Sequence, residues 1–201
     1  MRKLLVLIWL LFLTASAGTI FWYTDWQYHQ PTPVPKGYKD VKRGKLITLG
    51  QNINTNGKPV FLHFFNPDCA CSRFNAKTFK KLVATYGNNV KFVVVVMSNK
   101  LFTAKTIQAR LGVNVPVIFD ATLATRCGVY STPQVVLIDS KQRLYYRGNY
   151  NTSRYCTDEH TNFARIALEE YFNRQPLAGL GRMAFQAYGC SLPGCDKQIT
   201  Q

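Results

Sequence analysis

The hydrophobic positions of this chain form one long run followed by many short ones. The stretch from Leu4 to Tyr23 holds 20 consecutive uncharged and mostly apolar residues. As a helix, a stretch of this length spans the roughly 30 Å hydrocarbon layer of a membrane. From residue 46 onward, short apolar runs alternate with segments whose apolar residues recur every three or four positions. This pattern predicts strands that alternate with amphipathic helices.

The alternating part of the chain predicts a single α/β domain. The runs at 59–65 and 90–97 are almost continuously apolar, as expected of central strands that are buried on both faces. The alternation ends in a hairpin and a terminal helix, which predicts a sandwich with a mixed central β-sheet flanked by helices. The predicted strands are 46–49, 59–65, 90–97, 116–119, 134–138 and 144–146, and the predicted helices are 72–86, 102–111, 121–127 and 157–172.

The residues around the long apolar run indicate its orientation in the membrane and whether it is cleaved. Arg2 and Lys3 precede the run, which keeps this end in the cytoplasm and exports the rest of the chain. Ala15-Ser16-Ala17 resembles a signal-peptidase site, and cleavage there would release a soluble periplasmic protein. Because apolar sequence continues past that site, we favour an uncleaved anchor. The chain is then a single-pass protein of the cytoplasmic (inner) membrane, with its domain facing the periplasm or the cell exterior.

Composition divides the chain into four segments. We expect a membrane anchor or signal sequence at 1–26, a Pro-rich basic linker at 27–45, an α/β domain at 46–174 and a cysteine-containing tail at 175–201. The 201 residues suffice for one domain of ordinary size. The net charge is +15, but the positive charges are scattered and no zinc-finger, RNA-binding or helix-turn-helix pattern is present. We therefore expect no nucleic-acid partner.

Two cysteines, Cys69 and Cys71, stand where the predicted central strand gives way to a helix. The N-terminus of a helix carries a partial positive charge and unpaired amide protons, which stabilise a thiolate. The thiolate is the nucleophile of disulfide exchange. Arg73 adds a positive charge nearby, whereas Asp68 would oppose the effect if it pointed at the sulfur. The position of the two cysteines therefore predicts a redox site.

The segment from Phe64 to Ser72 (Phe-Phe-Asn-Pro-Asp-Cys-Ala-Cys-Ser) resembles the strand-to-active-site segment of the thioredoxin-like fold superfamily. In that family a buried strand ends in two aromatic residues, three residues follow, and a Cys-x-x-Cys motif begins the helix. Cys69 takes the position of the first, nucleophilic cysteine. Ser72 takes that of the second, and Cys71 lies one residue earlier. The resemblance is thus to a redoxin-like protein with an atypical Cys-x-Cys site.

A second segment, from Tyr130 to Asp139, resembles the family's cis-proline loop and the strand after it. Pro133 takes the cis-proline position and Thr132 the position before it. In the family this loop packs against the active-site cysteines, and the backbone before the proline pairs with bound polypeptide. The resemblance spans roughly residues 58 to 148. It implies a thioredoxin-like fold, with Thr132 and Pro133 as substrate-docking residues and Gly148 facing the active site.

Four further cysteines lie outside the motif: Cys127, Cys156, Cys190 and Cys195. In an exported protein such cysteines are usually paired in structural disulfides. Cys190 and Cys195 bracket a compact loop, and we expect a disulfide between them. Cys127 and Cys156 pair with each other in one interpretation, and in another either of them resolves Cys69. The sequence does not choose among these pairings.

The leading hypothesis is an extracytoplasmic thiol–disulfide oxidoreductase without a cofactor. Cys69 is its nucleophile, and either Cys71 or a distant cysteine resolves the mixed disulfide. Its expected partners are a disulfide- or thiol-containing protein substrate and a redox partner. One alternative is a Cu(I)-binding assembly factor that uses Cys69, Cys71 and a histidine, because soft thiolates suit Cu(I). Another is a non-catalytic interaction module. We expect His63 to face the core, and the loop at 149–155 to border the active site.

Overall fold

The computed structural model of this protein describes residues 2–26, 30–50, 53–153 and 158–193. The N-terminal run forms a helix, α1 (Arg2–Phe21), which continues as a short π-helix (Trp22–Trp26). None of α1 packs against the rest of the chain, and its length and apolar composition are sufficient to cross a membrane. A signal sequence meets the same criterion, so this feature is compatible with an anchor or with a cleaved leader.

The central sheet has five strands in the order β3-β2-β1-β5-β6. The strands β1, β2 and β3 are parallel, whereas β5 and β6 join them in antiparallel pairs. A second, two-stranded sheet pairs β4 with β7. The strands are β1 (Val60–Phe65), β2 (Lys91–Val96), β3 (Val117–Ile118), β4 (Ser131–Thr132), β5 (Gln134–Ile138), β6 (Leu144–Gly148) and β7 (Cys190–Ser191).

Helices cover both faces of the central sheet because β1 is apolar on both of its faces. Phe61 and Phe65 point into a core that α3, α4 and α6 help to form, while Leu62 and Phe64 point into a second core with α5. The predicted fold class, a thioredoxin-like sandwich with a mixed sheet, is confirmed. The helices of the domain are α2 (Ala70–Phe74), α3 (Ala76–Tyr86), α4 (Ala104–Leu111), α5 (Ala121–Cys127), α6 (Phe163–Phe172) and α7 (Arg182–Phe185).

Three predicted elements differ from the structure. The helix predicted at 72–86 begins at Ala70 and is interrupted at Asn75, whose side-chain amide donates to the Cys71 carbonyl oxygen at 2.8 Å. In place of a strand at 46–49, Leu46 forms an isolated bridge with Arg143. The last predicted helix begins later than expected, because the side chain of Asn162 accepts a hydrogen bond from the backbone of Arg165 and so caps α6 there.

The basic segment after α1 lies along the surface of the domain. The Tyr38 hydroxyl donates to the carbonyl oxygen of Gly128 at 3.0 Å. Asp40 forms an ion pair with Arg147 of β6 at 2.8 Å, and this guanidinium lowers the pKa of the Asp40 carboxyl. Ile47 is fully buried in the second core. These contacts hold residues 38–47 against the sheet.

The C-terminal segment also packs on the domain. The side-chain amide of Asn149 donates to the carbonyl oxygens of Met183 and Gln186, at 2.7 Å each, and so ties α7 to the end of β6. A Cβ atom on Gly148 would overlap the carbonyl oxygen of Ala184, so a glycine allows α7 to approach β6 closely. Gly148 therefore faces α7. This anchoring directs the following residues toward β4.

Candidate active site

A tight turn brings the chain from β1 to Cys69. The side-chain oxygen of Asn66 accepts a hydrogen bond from the backbone of Asp68 at 3.0 Å. The backbone carbonyl oxygen of Asn66 accepts another from the backbone of Cys69 at 3.1 Å. The buried hydroxyl of Ser72 accepts a hydrogen bond from the backbone of Asn66 at 3.2 Å. Ser72, which stands where the thioredoxin-like family has its second cysteine, thus stabilises the turn. Cys69 becomes the N-cap residue of α2.

Cys69 is joined to Cys190 in a disulfide, with 6.3 Å between the two Cα atoms. The two cysteines are 121 residues apart in the sequence. The expected bond between Cys190 and Cys195 is therefore wrong in this structure, because pairing of β7 with β4 directs Cys190 toward Cys69. Cys195 lies outside the described residues.

A third sulfur lies beside this disulfide. Cys71 carries a thiol, is buried, and has its Sγ atom within 4.8 Å of the Sγ atoms of both Cys69 and Cys190. This separation is only slightly longer than van der Waals contact between two sulfur atoms. Small side-chain movements would therefore allow the disulfide bond to pass from one pair of these sulfurs to another. The cluster contains no histidine among the described residues.

The Thr132–Pro133 loop packs directly against the cysteines. The peptide bond between these two residues is cis. The Cys69 Sγ atom lies 3.7 Å from the carbonyl oxygen of Thr132. Pro133 lines a small cavity together with Cys71. Thr132 also pairs with Cys190, so the loop borders all three clustered cysteines.

The cavity next to Cys71 is lined by residues from four parts of the chain. Its lining includes Asn75 and Tyr188 as well as residues 149–151 and 153. The predicted loop after Gly148 thus borders the cysteine cluster over these positions. The remainder of that loop, including Cys156, lies outside the described residues.

The carboxylate next to Cys69 is already paired with a cation. Asp68 forms an ion pair with Lys100 at 3.0 Å. The hydrogen bond from Lys100, with a second from Ser98, lowers the pKa of the Asp68 carboxyl. The helical backbone angles continue through Asn75 into α3, so the partial positive charge at the start of α2 lies next to Cys69.

The family described as Domain of unknown function (DUF6436) matches residues 39–192 of the chain. The chain belongs to this family. The matched range contains all three clustered cysteines and extends through β7, so the tail strand is part of the DUF6436 domain. Among curated proteins, none matches the chain.

Solved structures similar to this DUF6436 domain include proteins of unassigned function. An uncharacterised conserved protein from Geobacillus kaustophilus is 18% identical, with a TM-score of 0.60, over 81% of this chain and 97% of its own. A hypothetical protein from Sinorhizobium meliloti 1021 is 17% identical, with a TM-score of 0.58, over 75% and 96%. A thioredoxin-like protein in its oxidised form matches at 15% identity and a TM-score of 0.47, over 72% and 97%. At these identities the likeness concerns the fold alone.

Cys127 lies apart from the three-cysteine cluster of this DUF6436 protein. It ends α5 as a fully buried thiol in the second core. Burial raises the pKa of the Cys127 thiol to about 12, since the apolar surroundings disfavour the charged form. The proposed pair of Cys127 with Cys156 is not formed. A thiol this buried and this weakly acidic is unsuited to resolving a mixed disulfide at Cys69.

His63 belongs to the core, as the sequence predicted. Its ring stacks on Phe79 with 4.4 Å between centroids, and its Nδ1 atom is 2.8 Å from the Tyr150 hydroxyl. Burial lowers the pKa of His63 to about 3, so the ring is neutral at physiological pH.

The sequence placed Cys190 among the possible resolving or structural cysteines but did not predict its bond with Cys69. The strand that carries it is only two residues long, which is too short to produce an alternating pattern. One local signal was present: Gly189 precedes Cys190 and adopts a φ of +128°, a conformation that favours glycine.

Proposed function

We propose that this chain is a thiol–disulfide oxidoreductase in which Cys69 is the attacking nucleophile. The observation that carries the proposal is the cluster of three cysteine sulfurs within 4.8 Å, two of them already joined as Cys69–Cys190. The cluster lies at the start of a helix and beside the Thr132–Pro133 loop, where a thiolate is stabilised and a polypeptide backbone can pair.

Each step of the proposed reaction exchanges one disulfide for another. The reduced Cys69 thiolate attacks a substrate disulfide, so that a Cys69–substrate bond forms and one substrate thiol leaves. The Cys71 thiolate then attacks the Cys69 sulfur, which releases the second substrate thiol and forms a Cys69–Cys71 bond. Finally the Cys190 thiolate attacks Cys69, which restores the Cys71 thiol and forms the Cys69–Cys190 disulfide.

A dithiol redox partner completes the cycle by reducing the Cys69–Cys190 bond. Two electrons and two protons then pass from the partner to the substrate disulfide. In the opposite direction, one thiolate of a substrate dithiol attacks Cys69 and breaks the Cys69–Cys190 bond. The second substrate thiolate then attacks the first substrate sulfur, which releases Cys69 as a thiolate and leaves the substrate disulfide. Cys71 resolves the mixed disulfide because it adjoins Cys69 in the buried wall of the site, whereas Cys190 lies on the strand that a docked substrate would displace.

We also propose that α1 is an uncleaved anchor and that the domain faces the periplasm or the cell exterior. The six Cα-to-Cα steps from Trp26 to Thr32 span at most about 22 Å, and the hydroxyl of Thr32 lies 2.9 Å from that of Ser131, next to the site. An anchored chain would thus act close to the membrane surface. Alkaline extraction of membranes tests this: the anchored chain stays in the pellet with its N-terminus intact, whereas a cleaved chain is recovered in the soluble fraction.

Redox titration tests the proposed function. The full chain is equilibrated with graded mixtures of a dithiol and its disulfide, alkylated under acid quench, and analysed by mass spectrometry. We expect the Cys69–Cys190 bond to open and close reversibly, with Cys69–Cys71 as a minor species. Cys127 is the internal control, because its raised pKa keeps it unmodified until the chain unfolds. If the Cys69–Cys190 bond does not open anywhere in this range of mixtures, the proposal is contradicted. It is also contradicted if the Cys69 thiol reacts no faster than a small free thiol.

A second candidate function, Cu(I) binding, rests on the same three sulfurs. When reduced, Cys69, Cys71 and Cys190 offer three soft thiolates within 4.8 Å of one another, and such ligands suit Cu(I). The titration distinguishes the two candidates when it is repeated with Cu(I) and a competing chelator. Tight Cu(I) retention by a chain whose disulfide does not cycle favours the metal-binding function, whereas cycling without retention favours the oxidoreductase.

A further inference from the structure

The C-terminal tail lies across the candidate active site in the form of a docked peptide. Its strand β7 pairs antiparallel with β4, so that Cys190 lies opposite Thr132 and Ser191 opposite Ser131. On the other side of the tail, the backbone of Thr32 donates to the carbonyl oxygen of Ala187 at 2.9 Å. The tail is thus held between β4 and the segment that follows α1.

The position before Cys190 admits only glycine. Gly189 has a φ of +128°, and a Cβ atom built on it would overlap the carbonyl oxygen of Thr132. Thr132 in turn carries the oxygen that faces the Cys69 sulfur. Any side chain at this position would push the strand away from β4, and with it the cysteine that must reach Cys69.

The position two residues after Cys190 is apolar and buried. Leu192 is 8% exposed and belongs to the second core, which also contains Val41 and Val129. On the other side of the cysteine, Tyr188 is 9% exposed and lines the cavity next to Cys71. The tail therefore occupies three distinct subsites: a buried position for an aromatic residue at the wall of the cavity, a contact that excludes any side chain, and a buried apolar position in the second core.

We propose that this edge of β4 is a binding site for an extended polypeptide with the pattern aromatic-Gly-Cys-x-apolar, and that residues 188–192 occupy it as an internal substitute. The inference rests on the proposed function and adds the sequence pattern around the cysteine of its polypeptide substrate. A substrate cysteine must take the place of Cys190 opposite Thr132 to reach Cys69. The residues around that cysteine then meet the same three subsites.

Displacement of the tail replaces one disulfide bond by another, so it needs no external oxidant. A substrate thiolate attacks the Cys69 sulfur, so that a substrate–Cys69 disulfide forms while the Cys69–Cys190 bond breaks. Cys190 leaves as a thiolate and takes up the proton that the substrate thiol lost. Only the residues after Ala187 need to move, because Asn149 continues to hold α7.

Activated peptides test the pattern on the full chain in detergent, with Cys190→Ser so that Cys69 carries a thiol. Each peptide bears a thiopyridyl disulfide on its cysteine, and the release of thiopyridine measures attack by Cys69. The template peptide is Tyr-Gly-Cys-Ser-Leu, and the matched controls replace its Gly by Val or its Leu by Asp. Rates are divided by those of glutathione with the same peptide, which removes differences in intrinsic reactivity.

We expect the template to react about tenfold faster than either control peptide, after this normalisation. The serine tail competes equally with all three peptides, so the ratio is unaffected by its presence. Equal normalised rates would overturn the proposed pattern while leaving the oxidoreductase intact, provided that dithiodipyridine still reacts rapidly with Cys69. If dithiodipyridine reacts no faster than it does with glutathione, the proposed function falls and the substrate pattern falls with it.

A second measurement examines the tail in place, without any peptide. In the otherwise unchanged chain, Gly189→Ala should let the Cys69–Cys190 bond open at a dithiol concentration about tenfold lower, because the substituted tail can no longer approach Thr132. Gly181→Ala is the matched control, since a Cβ atom there meets nothing within 4 Å. An unchanged opening concentration for Gly189→Ala would show that close approach at this position is not required.

Discussion

Replacing Cys69 by serine should lower the rate of thiol–disulfide exchange by about a thousandfold or more, because a hydroxyl cannot act as the nucleophile of this reaction. Cys69 is the sulfur through which every proposed step passes, since both Cys71 and Cys190 exchange with it. The measurement is the reduction of a model disulfide substrate by the full chain, with a dithiol as the electron source.

Two further variants separate the roles of the other cysteines. Cys71→Ser should retain the attack but accumulate a mixed disulfide between Cys69 and the substrate, which mass spectrometry detects. Cys127→Ala should leave the rate unchanged, because Cys127 lies in the second core, outside the cluster. If Cys69→Ser retains activity comparable to that of Cys127→Ala, Cys69 is not the nucleophile.

Acid should destabilise the fold through His63. The pKa of His63 is lowered to about 3 in the folded chain by burial, whereas an unfolded chain has an ordinary histidine pKa of about 6.5. Below pH 6.5 the unfolded state therefore binds a proton that the folded state does not, and the free energy of unfolding falls as pH falls. The expected loss is about 2 kcal/mol by pH 5 and about 4 kcal/mol by pH 3, and it levels off at about 5 kcal/mol below that pH.

A comparison of two chains isolates this contribution from that of the carboxylates. Urea unfolding, followed by circular dichroism between pH 7 and pH 4, is measured for the natural chain and for His63→Phe. The variant loses the hydrogen bond to Tyr150 at every pH, so its stability is offset, but its pH dependence should be shallower by up to about 1.4 kcal/mol per pH unit. Parallel pH dependences for the two chains would contradict a neutral, buried His63.

In a Cys-x-x-Cys motif, one short segment supplies both redox cysteines. In the proposed cycle, the residues at and around these positions have separate functions. Ser72 stabilises the turn before α2 through its hydrogen bond with Asn66. Cys71, one residue earlier, faces the cavity beside Pro133. The third cysteine is supplied by a separate strand. An enzyme of this design would exclude substrates that cannot displace its own tail.

Local patterns in the sequence were sufficient for the strands of the central sheet and for one end of the active site. The strands β1 and β2 follow from apolar, β-branched runs bounded by turn residues, and β5 and β6 follow from a polar turn between two such runs. The location of Cys69 at the start of a helix followed from a strand, a short break and an amphipathic segment. These features depend on residues close together in the chain, so they can be predicted from its pattern.

Only the tertiary structure decided which cysteine meets Cys69. Cys190 reaches it across 121 residues because Asn149 anchors α7 and because a glycine lets the tail approach Thr132. Neither contact leaves a periodic signal in the sequence. The cysteine count permits many pairings, so the choice among them depends on how the tail packs against β4 and β6. Residues that are distant in the chain determine this packing together.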